Sequence, residues 1–87
     1  MKRFDDAASC EWLCAMISQQ MGLPNDQVHP HMRLVSDLGI DSLELQSLLL
    51  AIEDALGVIP EGAQMQRITT VSDLHMSVLQ LLEAKCA

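Results

Sequence analysis

Seven proline and glycine residues do most to limit what this chain can fold into: Gly22, Pro24, Pro30, Gly39, Gly57, Pro60 and Gly62. Inside a helix, glycine costs about 1 kcal/mol and proline about 3 kcal/mol relative to alanine. Helices are therefore expected between these positions, and the pieces they leave are helix-length. Within the pieces before Gly22, between Gly39 and Gly57 and after Thr70, the apolar residues recur at three- and four-residue steps, the period of a helix with one buried face. The composition agrees. Of 87 residues, 49% are apolar but only 2% are aromatic. A core of Leu, Ile, Val, Met and Ala suits packed helices better than a sheet. A chain this short buries roughly 60–65% of its unfolded surface, enough for one small core. The expectation is an all-α fold in a single domain over residues 1–87. It is a small up-and-down bundle of three main helices plus one short helix, with a long first loop.

The first helix is expected from about Asp5 to Met21. Cys10, Leu13, Met16, Ile17 and Met21 form its apolar stripe, and Gly22 ends it. Trp12 lies beside the stripe, half-covered on the rim. Residues 22–40 form the long connection, anchored by Val28, Leu34, Val35, Leu38 and Ile40. A loop of that length in a compact domain either packs over helix ends or delivers something functional. The second helix starts at Asp41, which has capping-box spacing to Glu44, and runs to Leu56 before Gly57. Its inner face holds Leu45, Leu48, Leu49, Ile52 and Leu56. Leu43 and Leu50 share a line on the opposite face, with Gln46, Ser47 and Asp54 within about 60° of it. Two leucines on one exposed line suggest a docking surface. A short helical turn is expected over 61–67. The last helix follows Thr70, which has capping-box spacing to Asp73. Its inner stripe is Val71, Leu74, Val78, Leu81 and Leu82, with Lys85 complementing the dipole in the last turn.

Charge excludes several functions. Twelve acids against five bases give a net charge of −7. Such a surface repels nucleic-acid backbones and anionic membranes and favours basic protein partners. No run approaches the eighteen or so apolar residues of a membrane span, and the first residues do not read as a signal peptide. Cys10, Cys14 and Cys86 are an odd count without framework spacing, so they are read as small apolar fillers in a reducing cytoplasm. No metal site is expected, since two cysteines four apart do not make one. Arg33 and Arg67 either hold neighbouring acids or sit solvated. His29 and His31 are expected to face solvent, and His75 to be half-buried.

The chemically informative segment is Asp37-Leu38-Gly39-Ile40-Asp41-Ser42-Leu43. A flexible glycine leads into a helix start, and Ser42 is the first residue after the cap. A helix N-terminus carries unpaired N–H groups and partial positive charge, so a phosphate ester on Ser42 would be stabilised there. A nucleophilic serine would need a base and an oxyanion hole. No histidine can be assigned as that base, so no catalytic residue is expected. By spacing alone, a serine after an Asp cap is also an ordinary helix start.

The segment DLGIDSLELQSLLLAIEDALGVIP, the later ITTVSDL, and the first helix ending Gln19-Gln20-Met21-Gly22-Leu23 together resemble the acyl carrier protein family over about residues 5–83. The resemblance implies that Ser42, flanked by Asp41, carries 4′-phosphopantetheine through a phosphodiester. A phosphopantetheinyl transferase would attach it from coenzyme A, with Mg²⁺. The arm's thiol would hold acyl groups as thioesters for acyl-transferring or synthase enzymes of fatty-acid, lipid or polyketide-type synthesis. Those partners would dock basic patches on Leu43, Glu44, Gln46, Ser47, Leu50, Glu53 and Asp54. Leu48, Ile52, Ile68 and Leu74 would line the acyl chain. The chain would act as a cytoplasmic monomer, not as an enzyme. It departs from the family's pattern at Gln46, where an apolar residue is common, and at Ser47, where an acid is common. The segment after Pro60 is also less acidic, with Gly62, Gln64, Met65 and Gln66. A specialised carrier is expected rather than the housekeeping one. A peptidyl carrier is the neighbouring alternative, but such modules usually show glycine where Asp41 stands. An unmodified acidic helical adaptor is the alternative from another class.

Overall fold

The computed structural model describes residues 10–86. Helix α1 spans Cys10–Met21, a 3₁₀ turn Asn25–Gln27, α2 Ser42–Leu56, α3 Ala63–Gln66 and α4 Val71–Cys86. Among the described residues the fold is all-α, with three main helices and a short one. The expected start of the first helix at Asp5 lies outside the described residues. The short helix falls inside the expected segment 61–67 but is only one turn long.

Four of the helix ends have a clear local chemical cause. Leu23 N–H donates to Ser18 C=O at 2.8 Å around Gly22, which closes α1. At the start of α2, Asp41 Oδ1 accepts from Glu44 N–H at 2.8 Å and Glu44 Oε1 accepts from Asp41 N–H at 3.2 Å. That reciprocal box satisfies two backbone donors at once. Gly57 ends α2 with φ 79°, donating to Glu53 C=O at 2.7 Å. A side chain at Gly57 would be strained by that φ and would also collide with Lys85 Nζ. That ammonium donates to Gly57 C=O at 3.4 Å, so the last turn of α4 is tied to the end of α2. At the start of α4, Asp73 Oδ2 accepts from Thr69 N–H and Thr70 N–H at 3.0 Å each, and Thr70 Oγ1 accepts from Asp73 N–H at 3.0 Å.

The three main helices bury one apolar core. α1 contributes Leu13, Cys14 and Ile17; α2 contributes Leu48, Leu49 and Ile52; α4 contributes Val71, Leu74, Val78 and Leu82. Leu45, Leu56 and Leu81 of the expected stripes flank the core half-buried. Trp12 and His75 are half-buried, as expected. Ser18 is buried too, a polar residue on the inner face of α1. Its hydroxyl donates to Cys14 C=O at 2.9 Å, and this bond to the previous turn offsets its desolvation.

The long connection packs over the helix ends. Val28, Leu34 and Ile40 are buried and Leu38 is half-buried. Val35 departs from the expectation: it is 68% exposed. The 33–40 segment is wound into turns, with Asp37 N–H and Leu38 N–H both donating to Arg33 C=O and Ile40 N–H to Leu34 C=O. That winding turns Leu34 inward and its neighbour outward. An isolated antiparallel bridge, Arg33 with Thr70, pins the loop to the start of α4. Arg33 also holds Asp37, with Nε to Oδ2 at 3.5 Å.

Candidate functional site

Ile40, Asp41 and Ser42 define the site. Ile40 is buried and anchors the end of the loop. Gly39, with φ 70°, adopts the left-handed conformation that lets the chain turn out of its coil. Asp41 is locked in the capping box, and Ser42 then stands exposed as the first residue of α2. The N–H groups of Ser42 and Leu43 belong to the open end of the helix and have no intrahelical acceptor. Upstream, Asp37 receives Arg33 N–H at 2.8 Å. That bond first, and the Arg33 charge second, hold its carboxyl below the ordinary carboxylate value.

Two clefts of similar size flank this helix start, and Ile40 is a wall of both. The first, ≈ 190 Å³, lies between α1 and α2. Ile17, Met21, Leu43 and Leu48 supply its apolar lining, and Gln20, Glu44 and Ser47 its polar lining. The second, ≈ 200 Å³, lies between the 33–40 loop, α2 and the segment after α3. It is lined by Leu34, Val35, Leu45, Met65 and Ile68, with Arg33, Ser36 and Thr69 as polar members. The residues expected along an acyl chain fall in three places. Leu48 lines the first cleft and Ile68 the second, while Ile52 and Leu74 sit in the sealed core at 0% exposure. A chain reaching the last two needs α2 and α4 to part.

The outer face of α2 presents Leu43 at 77% and Leu50 at 54% exposure. Glu44, Gln46, Ser47, Glu53 and Asp54 stand exposed with them. A shallow depression between Leu50, Ala51, Glu53 and Asp54 continues that face.

The other singled-out side chains lie elsewhere. Cys10, Cys14 and His29 share a cleft beside Val28 and Pro30, a meeting that sequence spacing did not reveal. Among the described residues no three metal-ligating groups converge on a site. Burial, and secondly the Cys10 thiol beside it, push the Cys14 thiol up to about 11. His29 and His31 are exposed and stack at 5.7 Å. Among the described residues no helix is long and apolar enough to cross a membrane.

A helical bundle that holds an exposed serine at a helix start, beside apolar clefts and an acidic helix face, fits a protein that carries a tethered group. The comparisons agree. The family described as the phosphopantetheine attachment site matches residues 11–75. An acyl carrier protein of Thermotoga maritima is 37% identical over 60 residues, covering 69% of this chain and 74% of the relative. One from Saccharopolyspora erythraea is 36% identical over 67 residues, covering 77% and 70%. One from Nitratidesulfovibrio vulgaris is 35% identical over 63 residues, covering 72% and 83%. The chain belongs to the acyl carrier protein family. Its members carry covalent phosphopantetheine, which transferases attach, and work with synthase and acyl-transferring enzymes as carriers rather than catalysts.

The residues at the start of α2 fit such a group. The capping box engages the carboxylates of Asp41 and Glu44 with backbone N–H groups. The open helix end would offer a phosphodiester N–H groups and the positive end of the helix dipole.

Proposed function

We propose that Ser42 carries the phosphopantetheine arm and that this chain, acting as one domain, is a specialised acyl carrier. The observation that carries the reading is the exposed Ser42 hydroxyl at the first position of α2, inside the segment that matches the attachment-site family. When bound, the arm supplies a thiol that holds acyl groups as thioesters. The chain's own residues position and present it. Asp41 and Glu44 fix the helix start, Ile40 anchors the loop before it, and the open helix end holds the phosphodiester.

Partner enzymes dock on the outer face of α2. Leu43 and Leu50 supply apolar contact, and Glu44, Glu53 and Asp54 attract basic patches, a steering effect that acts chiefly on the rate of encounter. Gln46 and Ser47 leave the middle of that face neutral, which favours dedicated partners over housekeeping ones. Asp41 before the serine favours acyl over aminoacyl cargo. The acidic surface disfavours self-association and supports a monomer, and the same reading has it working in the cytoplasm. Ile68, from the cleft beside Met65, would shelter the near end of an acyl chain, with the buried Leu48, Ile52 and Leu74 reached on opening.

Incubation with coenzyme A, Mg²⁺ and a broad-specificity transferase is expected to add one phosphopantetheine by intact mass, and Ser42→Ala to add none. No gain with any transferase, or a gain that persists in Ser42→Ala, overturns the assignment. The loaded protein is expected to be a poor substrate for housekeeping fatty-acid enzymes. Rates equal to those of a housekeeping carrier would remove the specialised reading and leave the carrier reading intact.

A further inference from the structure

Two clefts reach the start of α2, and their linings differ in chemistry. The cleft beside Met65 and Ile68 is the more apolar of the two: Leu34, Val35, Ile40, Leu45, Met65 and Ile68 outweigh Arg33, Ser36 and Thr69 in its lining, which suits an alkyl chain. The cleft between α1 and α2 has an apolar floor of Ile17, Ile40 and Leu48, all almost fully buried, and a rim that includes Gln20 and Ser47. We propose that this cleft between α1 and α2 is a parking site for the arm itself. It takes one amide unit of the pantetheine with its flanking methylenes, rather than the acyl cargo. The proposal rests on Ser42 being the attachment residue.

Three observations support that occupant. The first is chemical match. Pantetheine alternates amides with short alkyl links. An amide leaving water needs a donor and an acceptor, or its desolvation is uncompensated. The Gln20 carboxamide and the Ser47 hydroxyl each offer both without charge. Glu44, also on the rim, has its Oε1 engaged by Asp41 N–H. The second is reach. Ser47 lies five residues beyond Ser42, about 7.5 Å along the helix at 1.5 Å per residue, a span an extended arm covers easily. The third is size. At ≈ 190 Å³ the cleft has room for an amide and its neighbouring methylenes. Ile40 walls both clefts, so an arm seated here lies close beside the apolar cleft and can pass its thiol end around the helix start.

The test uses the full chain loaded with an arm labelled with ¹³C and ¹⁵N, intact mass confirming complete loading. Nuclear Overhauser contacts are expected between arm methylenes and the methyl groups of Ile17, Met21 and Leu48. Gln20→Ala and Gln20→Glu, both at an exposed position of α1 away from the docking face, are expected to load fully, keep the wild-type helical spectrum and lose most of that contact intensity. Contacts confined to Leu45, Met65 and Ile68 overturn the proposal, as does a fully loaded arm with no contacts. Contacts of wild-type strength in both variants also overturn it. Failure to load at all sinks the Ser42 assignment instead, and the mass measurement separates the two failures.

Discussion

Leu74→Ala is expected to lower the thermal midpoint by about 10–30 °C. Leu74 is 0% exposed in the first turns of α4. There it faces a core to which Ile17 brings α1 and Ile52 brings α2, both equally sealed. Removing buried leucine atoms costs the lost transfer energy plus the cavity they leave, about 2–5 kcal/mol together. A domain of this size has about 4–13 kcal/mol of stability, and each kcal/mol moves its midpoint by about 4–8 °C. The variant therefore melts near or not far above room temperature if the wild type is of ordinary stability. Met76→Ala is the control on the same helix. Its side chain is 52% exposed, and the change is expected to stay within about 0.5 kcal/mol of wild type. Melting followed by helical circular dichroism checks both. If Leu74→Ala melts within a few degrees of Met76→Ala, α4 does not pack as described.

What the sequence made legible was the local part of the molecule. Both capping boxes are written in residues three apart, so Asp41 with Glu44 and Thr70 with Asp73 could be read directly, and so could Gly57 as a helix stop. The buried stripes of α2 and α4 follow from periodicity, which survives any tertiary arrangement. Ser42 was legible in the same way, as the residue after a cap. The parts that were not legible depend on distant segments. Val35 looked like an anchor because loops have no period to say which way a side chain turns, and hydrogen bonds back to Arg33 and Leu34 set its direction outward. Ser18 interrupts no pattern that marks it as buried, because its hydroxyl is satisfied by its own helix. The clefts are the clearest case. Ile17 and Met21 meet Leu43 and Leu48 only once α1 lies against α2, and no spacing announces that meeting. The division of the expected chain-lining residues among two clefts and the core has the same origin.

Asp73→Ala is expected to cost about 1–2 kcal/mol at neutral pH and to flatten the acid limb of the stability curve. The Asp73 carboxylate accepts two backbone N–H bonds, from Thr70 and Thr69, at 3.0 Å each. Losing a helix-capping side chain costs about 0.5–2 kcal/mol, and here two donors lose their acceptor together. The damage reaches beyond α4, because Thr70 also bridges Arg33 and so holds the loop that leads to Ser42. The pH dependence follows from the same bonds. First the Thr70 N–H and then the Thr69 N–H hold the Asp73 carboxyl below its ordinary value of 3.8. A carboxyl lowered on folding contributes stability that is present above its unfolded value and lost as pH falls through the folded one. In the wild type that contribution therefore fades as pH falls below about 4. In Asp73→Ala it is missing at every pH, so the variant's deficit narrows as the solution is acidified. Asp73→Asn separates charge from geometry: its side-chain oxygen can still accept, so it should lose less than alanine at pH 7, yet show the same flattened limb. Denaturant titrations from pH 7 to pH 3 on the three proteins read both effects. A constant deficit for Asp73→Ala across that range would mean that the carboxylate is not lowered by the α4 cap.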